Sequence, residues 1–315
     1  MDKLSRLAGI LVCAAMVASA GCSTSNSGVT PSTGSPMAAQ SHQTGLGAGW
    51  ITQDGVTYHV PHYMVTRNMA SQGVKPDILL NYGGGAVLTK PKMYIVFWGF
   101  KAAGDPNKVK ALIIAYAKHI GGSAYNNIYT QYTGPMGHIT NPLGQYAGSW
   151  TDNVNAIPLH PSDAQVAAEA VAATVHFHYN ANVSYVIATA HGHSSSGFGT
   201  QYCAYHGATT TGGKVVSYTN LPYMPDAGSN CGANFVSPPS DETGADEGVT
   251  IVEGHEYGES VTDPNPPSGW YNNQQGEIGD ICAWQSIQND PYGSNSYTAQ
   301  PEFSNASQSC VHQYP

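Results

Sequence analysis

Val252-Glu-Gly-His255-Glu256-Tyr-Gly-Glu259-Ser-Val-Thr-Asp263-Pro264 is the segment from which the rest of the chain can be read. His255 and Glu259 stand four residues apart, so on a helix both side chains leave the same face. An imidazole and a carboxylate placed this way can grip one metal ion, with Glu256 on its flank. The spacing is that of HExxH, in which two His hold zinc and the Glu acts as general base, but with Glu in the second ligand position. The alternative is an exposed acidic helix face on which His255 simply pairs with Glu259. The pattern predicts a helix over residues 244–261, ended by Asp263-Pro264.

The chain upstream reads as alternating strands and helices. Lys92-Met-Tyr-Ile-Val-Phe-Trp98 and Val183-Ser-Tyr-Val-Ile-Ala-Thr189 are short runs rich in β-branched and aromatic residues, and so buried strands. Asp105-Pro106 opens a helix that runs to about Ile120, where Gly121-Gly122 stops it. Ser162 and Gln165 have the spacing of a capping box, followed by a helical stripe up to His178. Residues 201–206 and 214–219 form two more strands around a Gly-Gly turn. From Asn265 onward Gly, Pro, Asn, Ser and Tyr dominate, which predicts ordered loops around the core.

A metal on the helix needs ligands from elsewhere. Glu277-Ile-Gly-Asp280-Ile-Cys282 follows a Gly-ended turn, and Asp280 or Glu277 is the natural third ligand. Asp263 is a weaker choice, because it stands at the helix end and serves as a cap. His191 and His193 form an HxH at a strand end, and His206 follows Cys203 on another strand. His206 is expected in the cleft, where it or a nearby Tyr would stabilise the oxyanion.

Charge and composition exclude other chemistries. The 315 residues carry 11 Lys and Arg against 20 Asp and Glu, a formal charge of −9. That balance argues against a nucleic-acid partner, since phosphate binding runs on clustered cationic side chains. No basic residue follows Lys214, whereas 13 of the 20 acids do. Carboxylates with no cationic partner are either solvated or bound to a cation. No G-x-S-x-G, P-loop or dinucleotide fingerprint is present. Gly83-Gly-Gly85 precedes a strand and reads as a turn.

The N-terminus reads as a targeting segment. Lys3 and Arg6 precede an apolar stretch from Leu7 to Ala20, too short to span a bilayer, which needs roughly 20 residues. Two cleavage sites compete: Ala18-Ser-Ala20, and a lipobox-like Ser19-Ala-Gly-Cys22 that would leave Cys22 lipidated. Residues 22–48 read as an uncharged tether rich in Ser, Thr and Gly. With Cys13 and Cys22 in the leader, Cys203, Cys231, Cys282 and Cys310 remain. An even number in an exported chain predicts disulfides. Of three connectivities, Cys203–Cys231 and Cys282–Cys310 close the shortest loops. A zinc–thiolate cluster is the alternative, but no CxxC is present.

Several motifs resemble a known family. Asn81-Tyr-Gly-Gly-Gly-Ala-Val-Leu, Val96-Phe-Trp-Gly99, Tyr202-Cys-Ala-Tyr-His206, His255-Glu-Tyr-Gly-Glu-Ser-Val-Thr-Asp-Pro264, Glu277-Ile-Gly-Asp-Ile-Cys282 and Gln300-Pro-Glu-Phe-Ser-Asn305 resemble, in order, bacterial secreted relatives of the plant Exordium or phosphate-induced proteins. The resemblance covers residues 78–312 and implies an extracellular or wall-associated location, without a settled activity. The order of strands, an edge strand and a metal-binding helix also resembles the zincin metallopeptidases. Zincins have a second His where this chain has Glu259. A carboxylate there suits harder cations, so calcium and manganese stand beside zinc.

The expected fold is therefore α/β: a zincin-like mixed sheet with a metal-binding helix and a loop-rich, disulfide-pinned C-terminal part. Its parts are a signal peptide (1–21), the tether (22–48), an N-terminal extension or pro-segment (49–74) and one domain (75–315). The expected function is metal-dependent hydrolysis of a peptide or protein substrate outside the cytoplasm, as by a zinc metalloendopeptidase. His255, Glu259 and Asp280 would hold the ion, and Glu256 would be the base. The membrane would be touched only through a lipid on Cys22, and oligomeric state is not legible. The second expectation is a non-catalytic surface protein that binds wall glycans or a partner, with a structural ion or none.

Overall fold

The computed structural model describes residues 49–70, 79–238 and 241–315. The signal peptide, the tether and Cys22 lie outside the described residues. The expected mixed α/β architecture is present, built on one eight-stranded sheet. From one edge its strands run Trp50–Gln53, Val56–His59, Tyr202–Thr211, Lys214–Leu221, Val183–Thr189, Lys92–Trp98 and Tyr146–Asp152. The last four pair in parallel, whereas Tyr202–Thr211 runs antiparallel to its neighbour. His62–Val65 pairs antiparallel with the first half of Tyr202–Thr211, setting His62 opposite His206.

That pairing corrects the expected boundary at residue 75. Three strands lie between residues 50 and 65, inside the segment read as an extension, and all join the main sheet. They are only four residues each, too short for a clear alternation of apolar and polar side chains.

The strands at 92–98 and 183–189 fall where their residues predict them. Alternation along them sends side chains to opposite faces. Ile95, Phe97, Val186 and Ala188 pack with the helices Val109–Ile120 and Glu247–Thr262, while Val96, Trp98, Tyr185 and Ile187 pack with the helix Asp163–Phe177. Ser162 caps that last helix through the full capping box with Gln165. Asp105 accepts the backbone N–H groups of Val109 and Lys110, so the helix it was expected to open begins at Val109 instead.

The Cys203–Cys231 and Cys282–Cys310 disulfides are both formed. The C-terminal part is more regular than expected. Gln288–Tyr292 pairs with Asn295–Ala299, and Glu302–Ser304 with Ser309–Val311. Local Gly and Asn content hid these hairpins, because the turns dominate such short strands. Disulfides indicate an oxidising compartment. Among the described residues no helix is long and apolar enough to cross a membrane.

Candidate metal centre

The helix Glu247–Thr262 is buried at all 16 of its positions. An exposed acidic face is therefore excluded as the reason for its Glu residues. Its start lies against the Cys203–Cys231 loop so closely that a Cβ at Gly248 would collide with the Cys231 carbonyl. Thr219, from the strand beneath, reaches Ser260 on the helix at 3.4 Å. The helix is thus clamped to the sheet, with its carboxylates inside the protein.

Four elements meet at its centre. The helix contributes His255, Glu256 and Glu259, the strand Tyr202–Thr211 contributes His206, and the strand His62–Val65 contributes His62. The loop around the short helical turn Asp280–Cys282 contributes Glu277 and Asp280. His255 Nε2 lies 3.0 Å from Glu259 Oε1 and 3.7 Å from Asp280 Oδ1. His206 Nδ1 lies 3.2 Å from Glu259 Oε2 and 3.5 Å from Glu256 Oε2, and its Nε2 lies 3.4 Å from Glu277 Oε2. His62 Nδ1 lies 2.9 Å from Glu277 Oε2 and 3.3 Å from Asp280 Oδ2.

The loop is fitted to the helix. Gly279 has no Cβ because one there would sit 2.7 Å from His255 Nδ1. Gln300 Nε2 lies 3.1 Å from the same nitrogen and donates to the Gly279 carbonyl, so one amide holds ring and loop together. The Asp280 backbone N–H donates to Glu259 Oε1 at 3.1 Å, fixing that carboxylate's orientation.

The electrostatics are those of a dense buried array. Burial alone would lower the imidazoles, but it is outweighed. Glu259 holds His255 up at about 10, and Asp280 and Glu277 do the same for His62. His206 is also raised, with Glu277 the leading carboxylate. Burial opposes ionisation of Glu259, but His255 and His206 overcome it and hold this carboxyl well below the usual range. Burial pushes Glu256 up to about 7, and burial with Glu259 beside it pushes Asp280 up to about 6. Among the described residues every ion pair here joins His to a carboxylate, with no Lys or Arg.

Buried polar atoms are normally hydrogen-bonded. Here both ring nitrogens of His206, both oxygens of Glu256, both oxygens of Glu277, Glu259 Oε2 and His255 Nε2 are buried without a hydrogen bond. This donor set of imidazole nitrogens and carboxylate oxygens is what a divalent cation binds. A buried His/Glu group able to hold a metal ion is therefore present. Two sets of atoms are close enough to share an ion: His255, Glu259 and Asp280, and His62, His206, Glu259 and Glu277.

The residues expected as ligands, His255, Glu259 and Asp280, come together. Glu277 joins the second set, so the two acids weighed as alternatives are both at the cluster. Asp263 belongs to neither set and accepts from the Ser268 N–H at 3.3 Å, next to the helix end. His206 is a donor-set member with both nitrogens facing carboxylates, not a side chain standing free to stabilise an oxyanion. His191 and His193 lie apart, His191 on Asp226 at 2.6 Å and His193 on the Pro158 carbonyl at 2.9 Å. His62 was not anticipated. A lone His in a four-residue strand carries no local signal, and only pairing with the 202–211 strand brings it here.

No protein-family model, curated protein or solved structure matches the chain.

Proposed function

We propose that the chain is an exported, metal-dependent hydrolase of peptide bonds, with a zincin-like arrangement of sheet and metal helix. The observation that carries the reading is the meeting of His255, Glu259 and Asp280 beside a buried Glu256 carboxylate that has no hydrogen-bond partner. The mixed sheet with a buried helix bearing His255 and Glu259 also supports it, whereas Tyr202–Thr211 is paired on both sides and is not the edge strand that the zincin resemblance implies.

A zinc, manganese or calcium ion held by these residues would supply Lewis acidity and acidify water. Glu256 takes a proton from the attacking water as its oxygen bonds to the peptide carbonyl carbon. The C–N bond then breaks, and Glu256 returns the proton to the leaving amine. Gln300 and Gly279 keep the His255 ring in place during these steps. Substrate approaches from the side of His62 and Asp280, the members of the cluster with exposed side-chain surface, at 36% and 15%.

The test is metal analysis of the purified chain together with cleavage of casein and a peptide library. Expected is cleavage that stops with chelator and returns with added zinc or manganese. A chain that binds metal but cleaves nothing would defeat the peptidase reading. That result would favour the second one, a wall- or partner-binding surface protein with a structural ion. The near-complete burial of Glu256, His255 and Glu259 is the observation on that side, since structural metal sites are closed. For location, the proposal is a lipid-tethered envelope protein. Cys22→Ser should move it from the membrane fraction to the medium, and an unchanged distribution would reject lipidation.

A further inference from the structure

We propose that the cluster is one centre for two divalent cations, bridged by the carboxylate of Glu259. The inference rests on the metal-binding part of the reading above and does not need peptide hydrolysis to be right.

Glu259, the shared ligand, and Asp280 beside it each direct their two oxygens at different imidazoles. Glu259 places Oε1 3.0 Å from His255 Nε2 and Oε2 3.2 Å from His206 Nδ1. Asp280 places Oδ1 3.7 Å from His255 Nε2 and Oδ2 3.3 Å from His62 Nδ1. Glu277 closes the second set, with Oε2 2.9 Å from His62 Nδ1, and His206 offers that set one ring nitrogen. Metal–ligand bonds of about 2.0–2.2 Å in a tetrahedral shell put neighbouring donor atoms roughly 3.4 Å apart. Each set has that spread, and its donor atoms all lie within 4.8 Å of one another. The two sets share Glu259 but do not merge into one shell. A pair of ions about 3.5–4 Å apart is the spacing that a bridging carboxylate spans in two-metal hydrolytic sites.

Charge fits the same count. Glu256, Glu259, Glu277 and Asp280 surround three imidazoles, with no Lys or Arg in the cluster's ion pairs among the described residues. One divalent ion would leave two of these carboxylates paired with protonated imidazoles that hold no metal. Two divalent ions balance all four with the imidazoles neutral, the state in which imidazole ligates. They also give partners to the buried atoms of His206, His255, Glu259 and Glu277 that lack hydrogen bonds. The donors, three imidazoles and three carboxylates, suit zinc or manganese.

The second site makes the strand His62–Val65 part of the centre. His62 stands opposite His206 across the strand pair, their ring centroids 6.0 Å apart. Removing this strand would remove one ion's ligand and leave the other shell, His255, Glu259 and Asp280, intact.

The test counts ions and asks whether they interact. The full chain is stripped with chelator, loaded with Mn(II), and analysed by elemental mass spectrometry and electron paramagnetic resonance. Expected are two ions per chain and the spectrum of a magnetically coupled pair. His62→Ala, on an edge strand, and Glu277→Gln, which keeps side-chain size, should each reduce the count to one and abolish coupling. Circular dichroism should show an unchanged fold. One ion per wild-type chain, or two without coupling, overturns the two-ion centre and leaves the one-ion hydrolase standing. No bound ion overturns both. Two coupled ions with no peptide cleavage uphold the centre and remove the peptidase.

Discussion

The helix Asp163–Phe177 covers one face of the sheet with Ala164, Val166, Ala167, Ala170 and Ala173, while Glu247–Thr262 covers the other with a helix whose every side chain is buried. The first is an ordinary amphipathic helix. It carries a small-residue stripe against the strands, a capping box at its start, and polar residues toward solvent. The second keeps Glu247, Glu253, Glu256 and Glu259 inside the protein. Burying apolar surface is favourable at about 25 cal/mol per Å². Burying a carboxylate is unfavourable unless something answers its charge. Apart from Glu169, the alanine helix is explained by packing, and the glutamate helix is not. Glu247 accepts the Phe235 and Val236 N–H groups, and the partners of Glu256 and Glu259 are the imidazoles of His206 and His255 and, in our proposal, cations.

The sharpest way to break this contrast is Glu256→Gln. It preserves side-chain size and removes the base, so metal content should persist while peptide turnover falls about 10²–10⁴-fold. Equal loss of metal and turnover would make Glu256 a ligand instead. Glu259→Ala should be the most damaging change to stability. It removes a carboxylate whose oxygens face His255 and His206, and breaking such a buried array costs about 3–5 kcal/mol. Denaturant unfolding and metal analysis should both register the loss, and a stable, metal-loaded variant would refute the assignment.

On the alanine helix the effects should be smaller and independent of metal. Ser162→Ala removes the N-cap and should cost about 1 kcal/mol without changing metal content. The smallest effect concerns Glu169, the one acid buried on that helix. Burial, with Asp152 beside it, pushes its carboxyl up from 4.5 to about 8. Between these values the unfolded chain releases the proton and the folded chain keeps it, so stability falls as pH rises through that window. Glu169→Gln removes the titration. Thermal melts should show a gain of about 2–4 °C over the parent at pH 8 and none near pH 4, the shift expected from roughly 1 kcal/mol. A gain of the same size at both pH values would assign the effect to something other than ionisation.

Legibility in the sequence followed the range of the interaction concerned. The strands 92–98 and 183–189, the Ser162 capping box and the helix carrying His255 and Glu259 all rest on spacings within about seven residues, and all appear in the fold. The four short strands after residue 287 and the three before residue 66 were missed. They are too short to display a period, and each is defined by its partner. The candidate metal centre divides along the same line. His255, Glu256 and Glu259 were visible through helical geometry, and Asp280 and Glu277 through their place in a compact motif tied to Cys282. His62 was invisible.

The sequence by itself determined the helix face that brings His255 and Glu259 together, because a period of 3.6 residues is a local property of the backbone. It also favoured the cysteine pairs, each 28 residues apart and each a loop that closes at modest entropic cost, among three connectivities of which the structure selects this one. Only the tertiary structure decided that the Glu-bearing helix is buried, that His206 turns toward it, and that His62 is carried across the sheet edge to Glu277 and Asp280. These contacts join residues more than 20 apart, and most of them more than 40. Their pairing depends on strand register and on which sheet face the helix covers, and neither is encoded in any short window of the chain.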